Sequence, residues 1–201
     1  MLGLDKPRAG VGARRGRILV ADDDDLIRRL FRNVLLADGH EVLLAEDGQQ
    51  ALEKARADRP DVLLLDVQMP RLSGLEVCRQ LKADPVTAPM PILLITGQAS
   101  REERIAGVAA GADDFLTKPV DHEEMVLRVR NAAYRKHLYD ELAEKYAELK
   151  AMAELHASLT SLIDADTEAL AAQLSPQTHA QRTVPDGLGQ VPQEGGDHGA
   201  H

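Results

Sequence analysis

Residues 61–66 read DVLLLD, four consecutive aliphatic side chains held between two aspartates. Successive side chains of a strand point to opposite faces, so an unbroken aliphatic run has to be covered on both sides. Such a strand belongs inside a parallel sheet with helices above and below it. The residues that follow, VQMPRLSG (67–74), contain Pro, Ser and Gly and read as a loop, and LEVCRQLKA (75–83) reads as a helix.

The same alternation continues to either side. Upstream, RILVAD (17–22) is a short apolar run ending in acids. An amphipathic stretch follows it, with Leu26, Leu30, Phe31, Val34 and Leu35 near helical spacing, Asp24 or Asp25 as cap and Gly39 past the end. HEVLLAEDG (40–48) reads as a strand and turn. ALEKARA (51–57) reads as a helix that closes at Arg59-Pro60, because the residue before a proline is pushed out of the helical region. Downstream come the strand PILLIT (91–96), the helix SREERIAGVAAG (100–111) ended by Gly111, the short strand DDFLTKP (113–119) and a helix from near His122. With right-handed crossovers these five strand–helix alternations predict an α/β fold, a doubly wound five-stranded parallel sheet. Ligands of such sheets gather beyond the carboxyl ends of the strands.

Composition narrows the function. The chain has 24 Lys+Arg against 33 Asp+Glu, a formal charge of −9, and only 2% aromatic residues with no Trp. A nucleic-acid binder normally shows a basic face and stacking platforms, so that class is disfavoured. A single cysteine, Cys78, cannot form an internal disulfide, and no apolar run approaches a membrane span. The expectation is a soluble cytoplasmic protein with no membrane and no nucleic-acid partner.

The distinctive polar residues fall at the carboxyl ends of the strands. Asp22 and Asp23 end the first, Asp66 the third, Thr96 the fourth and Lys118 the fifth. If the first and third strands are neighbours, three carboxylates converge and raise one another's pKa values unless a cation intervenes. Magnesium suits the site, since it prefers oxygen ligands and takes one or two carboxylates directly. Lys118 supplies a fixed positive charge. Phosphoryl transfer matches this pocket, with Asp66 as the nucleophile that becomes an aspartyl phosphate, Asp22 and Asp23 as metal partners and the Thr96 hydroxyl donating to a phosphoryl oxygen. Each residue alone has a structural explanation; their conjunction at strand ends is what points to chemistry.

RILVADDD (17–24), DVLLLDVQMPRLSG (61–74), PILLITGQ (91–98) and GADDFLTKP (111–119) together resemble the receiver domain of bacterial two-component response regulators, from about Arg17 to Asn131. The resemblance implies a flavodoxin-like sheet of order 2-1-3-4-5. It implies that Asp66 takes a phosphoryl group from the phosphohistidine of a sensor histidine kinase or phosphotransfer protein. It further implies direct Mg²⁺ ligation by Asp23, Asp66 and the backbone carbonyl of Gln68, with Asp22 acting largely through water. Lys118 would pair with the carboxylate and then the phosphate. Thr96 and Phe115 would be the switch pair, Phe115 standing where tyrosine is often found. Lys118-Pro119 would be a cis peptide, and Gln68 and Gln98 would tune phosphate lifetime. Gln68 also separates the site from that of haloacid-dehalogenase-type phosphatases, which carry a second aspartate there. A flavin-binding protein of similar topology is disfavoured, because clustered carboxylates would repel the cofactor's phosphate.

Beyond the receiver, residues 131–163 contain no Pro or Gly and are rich in Ala, Leu, Glu and Lys. Heptad a positions at 142, 149, 156, 163 and 170 put 138, 145, 152, 159 and 166 at d. Lys145, His156 and Asp166 interrupt an otherwise apolar seam. The reading is a flexible arm (1–16), a receiver (17–131), a helical stalk forming a parallel coiled coil (132–174) and a disordered tail (175–201) holding His179, His198 and His201. No separate DNA-binding or catalytic output domain is expected, and the chain is expected to be a phosphoacceptor, not an enzyme. Signalling would run through a homodimer of the stalk or a protein output partner. The alternatives are a phosphotransfer shuttle or phosphate sink with a constitutive coil and, less favoured, a DNA-binding regulator.

Overall fold

The computed structural model describes residues 15–97 and 101–174. The arm up to residue 14, Gln98 and the tail from residue 175 lie outside the described residues. The elements are β1 (Arg17–Ala21), α1 (Asp25–Ala37), β2 (Glu41–Ala45), α2 (Gly48–Asp58), β3 (Val62–Asp66), α3 (Gly74–Ala83), β4 (Ile92–Thr96), α4 (Arg101–Ala109), β5 (Asp114–Thr117) and α5 (His122–Leu174). All strand pairs are parallel, in the order β2-β1-β3-β4-β5. The doubly wound sheet expected from the sequence is present.

The covering of the strands follows from their composition. Val62 and Leu64 pack with Ile18, Val20, Leu93 and Ile95 against Phe31 and Leu35 of α1 and Met125, Val129 and Ala132 of α5. Leu63 and Leu65 point to the other face, with Leu19, Ile92 and Leu94, against Ala51, Leu52 and Ala55 of α2 and Val77, Cys78 and Leu81 of α3. Every side chain of β3 and β4 is buried, as strands covered on both faces require.

Helix starts are set by polar side chains. Asp24 caps α1 by accepting the Leu26 amide at 2.8 Å, Asp47 caps α2 through Gln50 at 2.9 Å, and Ser73 caps α3 through Glu76 at 3.3 Å. The Asp47 cap explains why α2 begins at Gly48, ahead of the apolar pattern at Ala51. Arg59 closes α2 at a left-handed φ of 47°.

The chain divides into two compact units, Met1–Lys150 and Ala151–His201. In the first, α5 buries Met125, Val129 and Ala132 at intervals of four and three, the stripe of a helix lying on a sheet. In the second, the side chains from Ala151 to Leu170 are all exposed.

Candidate functional site

The pocket is assembled by strand register. Ala21 of β1 is paired with Leu65 of β3, so the residues that follow them, Asp22 and Asp66, leave the sheet side by side. Asp66 and Thr96 are the last residues of β3 and β4, whereas Asp22, Asp23 and Lys118 stand just beyond their strands. The loop after Asp66 folds back tightly: the Gly74 amide donates to the Val67 carbonyl at 3.0 Å. A Cβ on Gly74 would lie 2.0 Å from the Asp66 carbonyl oxygen, so only glycine fits there.

One carboxylate oxygen from each of Asp22, Asp23 and Asp66 lies within 4.8 Å of the others. Asp22 is fully buried, Asp66 is 3% exposed and Asp23 sits at the open rim. Lys118 bridges two of the acids, with Nζ 2.9 Å from Asp22 Oδ2 and 3.1 Å from Asp66 Oδ1. Asp22 Oδ1 also accepts the Asp24 amide at 2.9 Å, and Arg28 Nη1 donates to the Asp22 carbonyl at 2.7 Å. The Lys118 amide donates to the Thr96 carbonyl at 2.8 Å, and Lys118-Pro119 is cis.

This crowding sets the charge behaviour. Burial first, and then the neighbouring charge of Asp22, push the Asp66 carboxyl up from 3.8 to about 6 even though Lys118 pulls it down. Burial alone would pull the Lys118 ammonium down. The hydrogen bonds and charges of Asp22 and Asp66 outweigh it and hold that ammonium above its ordinary range. Three acids opposed by one ammonium leave an excess of negative charge lined by hard oxygen donors. That donor set could hold a metal ion of the magnesium type.

The structure brings together Asp22, Asp23, Asp66 and Lys118. Gln68 lies two residues past Asp66 in the loop and is exposed. Phe115, partly buried, packs on α4. A Cβ on Gly107 would meet its ring at 2.4 Å, and the Arg104 guanidinium carbon lies 5.9 Å from its centroid. Two interactions were not anticipated. Lys118 engages Asp22 as well as Asp66, and the Thr96 hydroxyl donates to Glu103 Oε2 at 2.5 Å. The sequence carries two adjacent acids at 102 and 103, and nothing in their spacing marks which one reaches Thr96.

The family model of the response regulator receiver domain matches residues 18–130. Response regulator MprA of Mycobacterium leprae (strain TN) is 50% identical over 131 residues, covering 65% of this chain and 56% of that protein. MprA of Mycolicibacterium vanbaalenii is 51% identical over 114 residues, 57% of this chain and 48% of that protein. The chain thus spans about half the length of the curated relatives it matches. Among solved structures, a putative response regulator from Chloroflexus aurantiacus matches at 36% identity and a TM-score of 0.58, covering 60% of this chain and 99% of that one. The chemotaxis response regulator CheY4 of Vibrio cholerae matches at 33% identity and a TM-score of 0.56, covering 59% and 99%.

Proposed function

Because the chain belongs to the response regulator receiver family, we propose that Asp66 accepts a phosphoryl group from the phosphohistidine of a sensor histidine kinase or phosphotransfer protein. The observation that carries this reading is the Lys118 ammonium held between Asp22 and Asp66 in a pocket of three carboxylates. An Asp66 carboxylate oxygen forms the new P–O bond as the P–N bond of phosphohistidine breaks, and the departing imidazole nitrogen takes a proton from solvent. The chain acts as an acceptor and turns over no outside substrate.

Asp23, Asp66 and the Gln68 carbonyl would hold a magnesium ion. Both Asp22 oxygens already accept hydrogen bonds, which suits Asp22 to a role through water. The ion, when bound, supplies positive charge beside the phosphoryl oxygens. Lys118 stays with the charge it neutralises, shifting from carboxylate to phosphate. Thr96 donates its hydroxyl to a phosphoryl oxygen, and Phe115 shifts with it. Gln68 and Gln98 set how long the adduct lasts.

Two surfaces support an output through protein contacts. On α4, Ile105 and Val108 are 57% and 65% exposed, an apolar face beside Phe115. Along α5, twelve exposed large apolar side chains run from Tyr134 to Leu170. In the frame with Leu142 at a, all twelve fall on positions g, d, a and e, and none on b, c or f. A stripe that keeps a period of 3.5 stays in phase against another helix wound around it, which supports pairing with a second copy of the stalk or with a helix of a protein output partner.

Phosphotransfer from candidate kinases to the wild type and to Asp66→Asn, with sedimentation mass followed alongside, tests this reading. The wild type takes label and changes its association or partner binding, and Asp66→Asn does neither. Label on another residue overturns the phosphoacceptor assignment. Rapid label loss with unchanged mass and unchanged partner binding identifies a phosphate sink with a constitutive coil.

A further inference from the structure

The Thr96 hydroxyl is engaged within the fold. It donates to Glu103 Oε2 at 2.5 Å, linking the last residue of β4 to the first turn of α4. Thr96 is 4% exposed and Glu103 half-buried, so the bond lies where water competes poorly and a hydroxyl-to-carboxylate bond is strong. A hydroxyl has one proton to donate. It cannot serve Glu103 and a phosphoryl oxygen on Asp66 at once.

We propose that Glu103 is a positioning residue that reserves the Thr96 proton in the unphosphorylated chain, so that phosphorylation proceeds by exchange of one acceptor for the other. This rests on the reading that Thr96 serves the phosphoryl group; for it to do so, its hydrogen bond to Glu103 must break. That break is placed to be felt on α4. Glu103 adjoins Arg104, whose guanidinium lies over the Phe115 ring, and Gly107, against which that ring packs, is one turn further along. Release of Thr96 therefore loosens the turn that holds Phe115, and the two switch residues move through a shared neighbour.

The test titrates beryllium fluoride with magnesium into the full chain of wild type, Glu103→Ala and Glu103→Gln, each with and without Thr96→Ala, following occupancy by fluorine NMR. Transfer of label from acetyl phosphate to Asp66 is measured alongside. Removing the competing acceptor tightens beryllium fluoride about tenfold in Glu103→Ala and about threefold in Glu103→Gln, which keeps a neutral acceptor. In the Thr96→Ala background the Glu103→Ala gain falls below about twofold, because the coupled partner is gone. Equal affinity of wild type and Glu103→Ala overturns the proposal. So does an equal gain with and without the threonine hydroxyl, which would show that the carboxylate acts through its field. A wild type that neither binds beryllium fluoride nor takes label at Asp66 overturns the phosphoacceptor reading and this inference with it.

Discussion

Asp66 is a carboxylate kept at the edge of its charged state. Its folded midpoint of about 6 lies above the ordinary 3.8, so between those values the folded chain holds more protons than the unfolded one. Stability therefore falls as pH rises through that window, and the cost disappears as pH drops back below it. In magnesium-free buffer, Asp66→Asn should gain about 2 kcal/mol relative to wild type between pH 4 and pH 7. Urea denaturation at the two pH values checks this; a difference independent of pH would show that the carboxyl is not perturbed. The convergence of Asp22, Asp66 and Lys118 was legible because the topology sends strand-end residues to one edge, and all three sit at or next to strand ends. Glu103 was not legible, because a side chain reaching back from a helix to a strand end leaves no periodic trace.

Among the elements, α4 is held to the sheet by a close approach: Gly107 is its buried residue, and it faces the Phe115 ring and Leu94. Gly107→Ala would place its Cβ 2.4 Å from the ring and 2.9 Å from Leu94 Cδ1, so the ring must move. Overpacking of this kind costs about 1–3 kcal/mol, against about 1 kcal/mol gained in helix propensity, so a net loss of about 1 kcal/mol is expected. Urea denaturation reads it, and adding Phe115→Leu should recover the loss. A more stable single variant would mean that the ring gives way freely. The three central strands were legible from their aliphatic runs, which belong inside a sheet covered on both faces, whereas the run read as a strand over 113–119 pairs only from Asp114 to Thr117. Helix starts were less legible. The α2 helix begins at Gly48 because Asp47 caps it, and an Asp-Gly pair in sequence reads equally well as a turn.

For the whole molecule, the proposed pairing of the α5 stripe with a second copy is open to a direct test. Leu149→Lys, at an a position with an exposed side chain, should weaken that association by about a hundredfold or more in sedimentation equilibrium. The thermal transition of the receiver should stay where it is, because the substitution leaves the core packing intact. Unchanged mass would show that the stripe does not join two copies. The heptad phase was visible in the sequence, because residues 131–163 carry no Pro or Gly to interrupt it. The two fully covered strands have a further consequence for the chain before it folds. Stretches such as VLLL and ILLI are the kind that stack between molecules when left bare. Here the first is bounded by Asp61 and Asp66 and the second is preceded by Pro89 and Pro91, residues that discourage intermolecular pairing. The aspartate that closes β3 thus also acts as a gatekeeper against aggregation while the protein is being made.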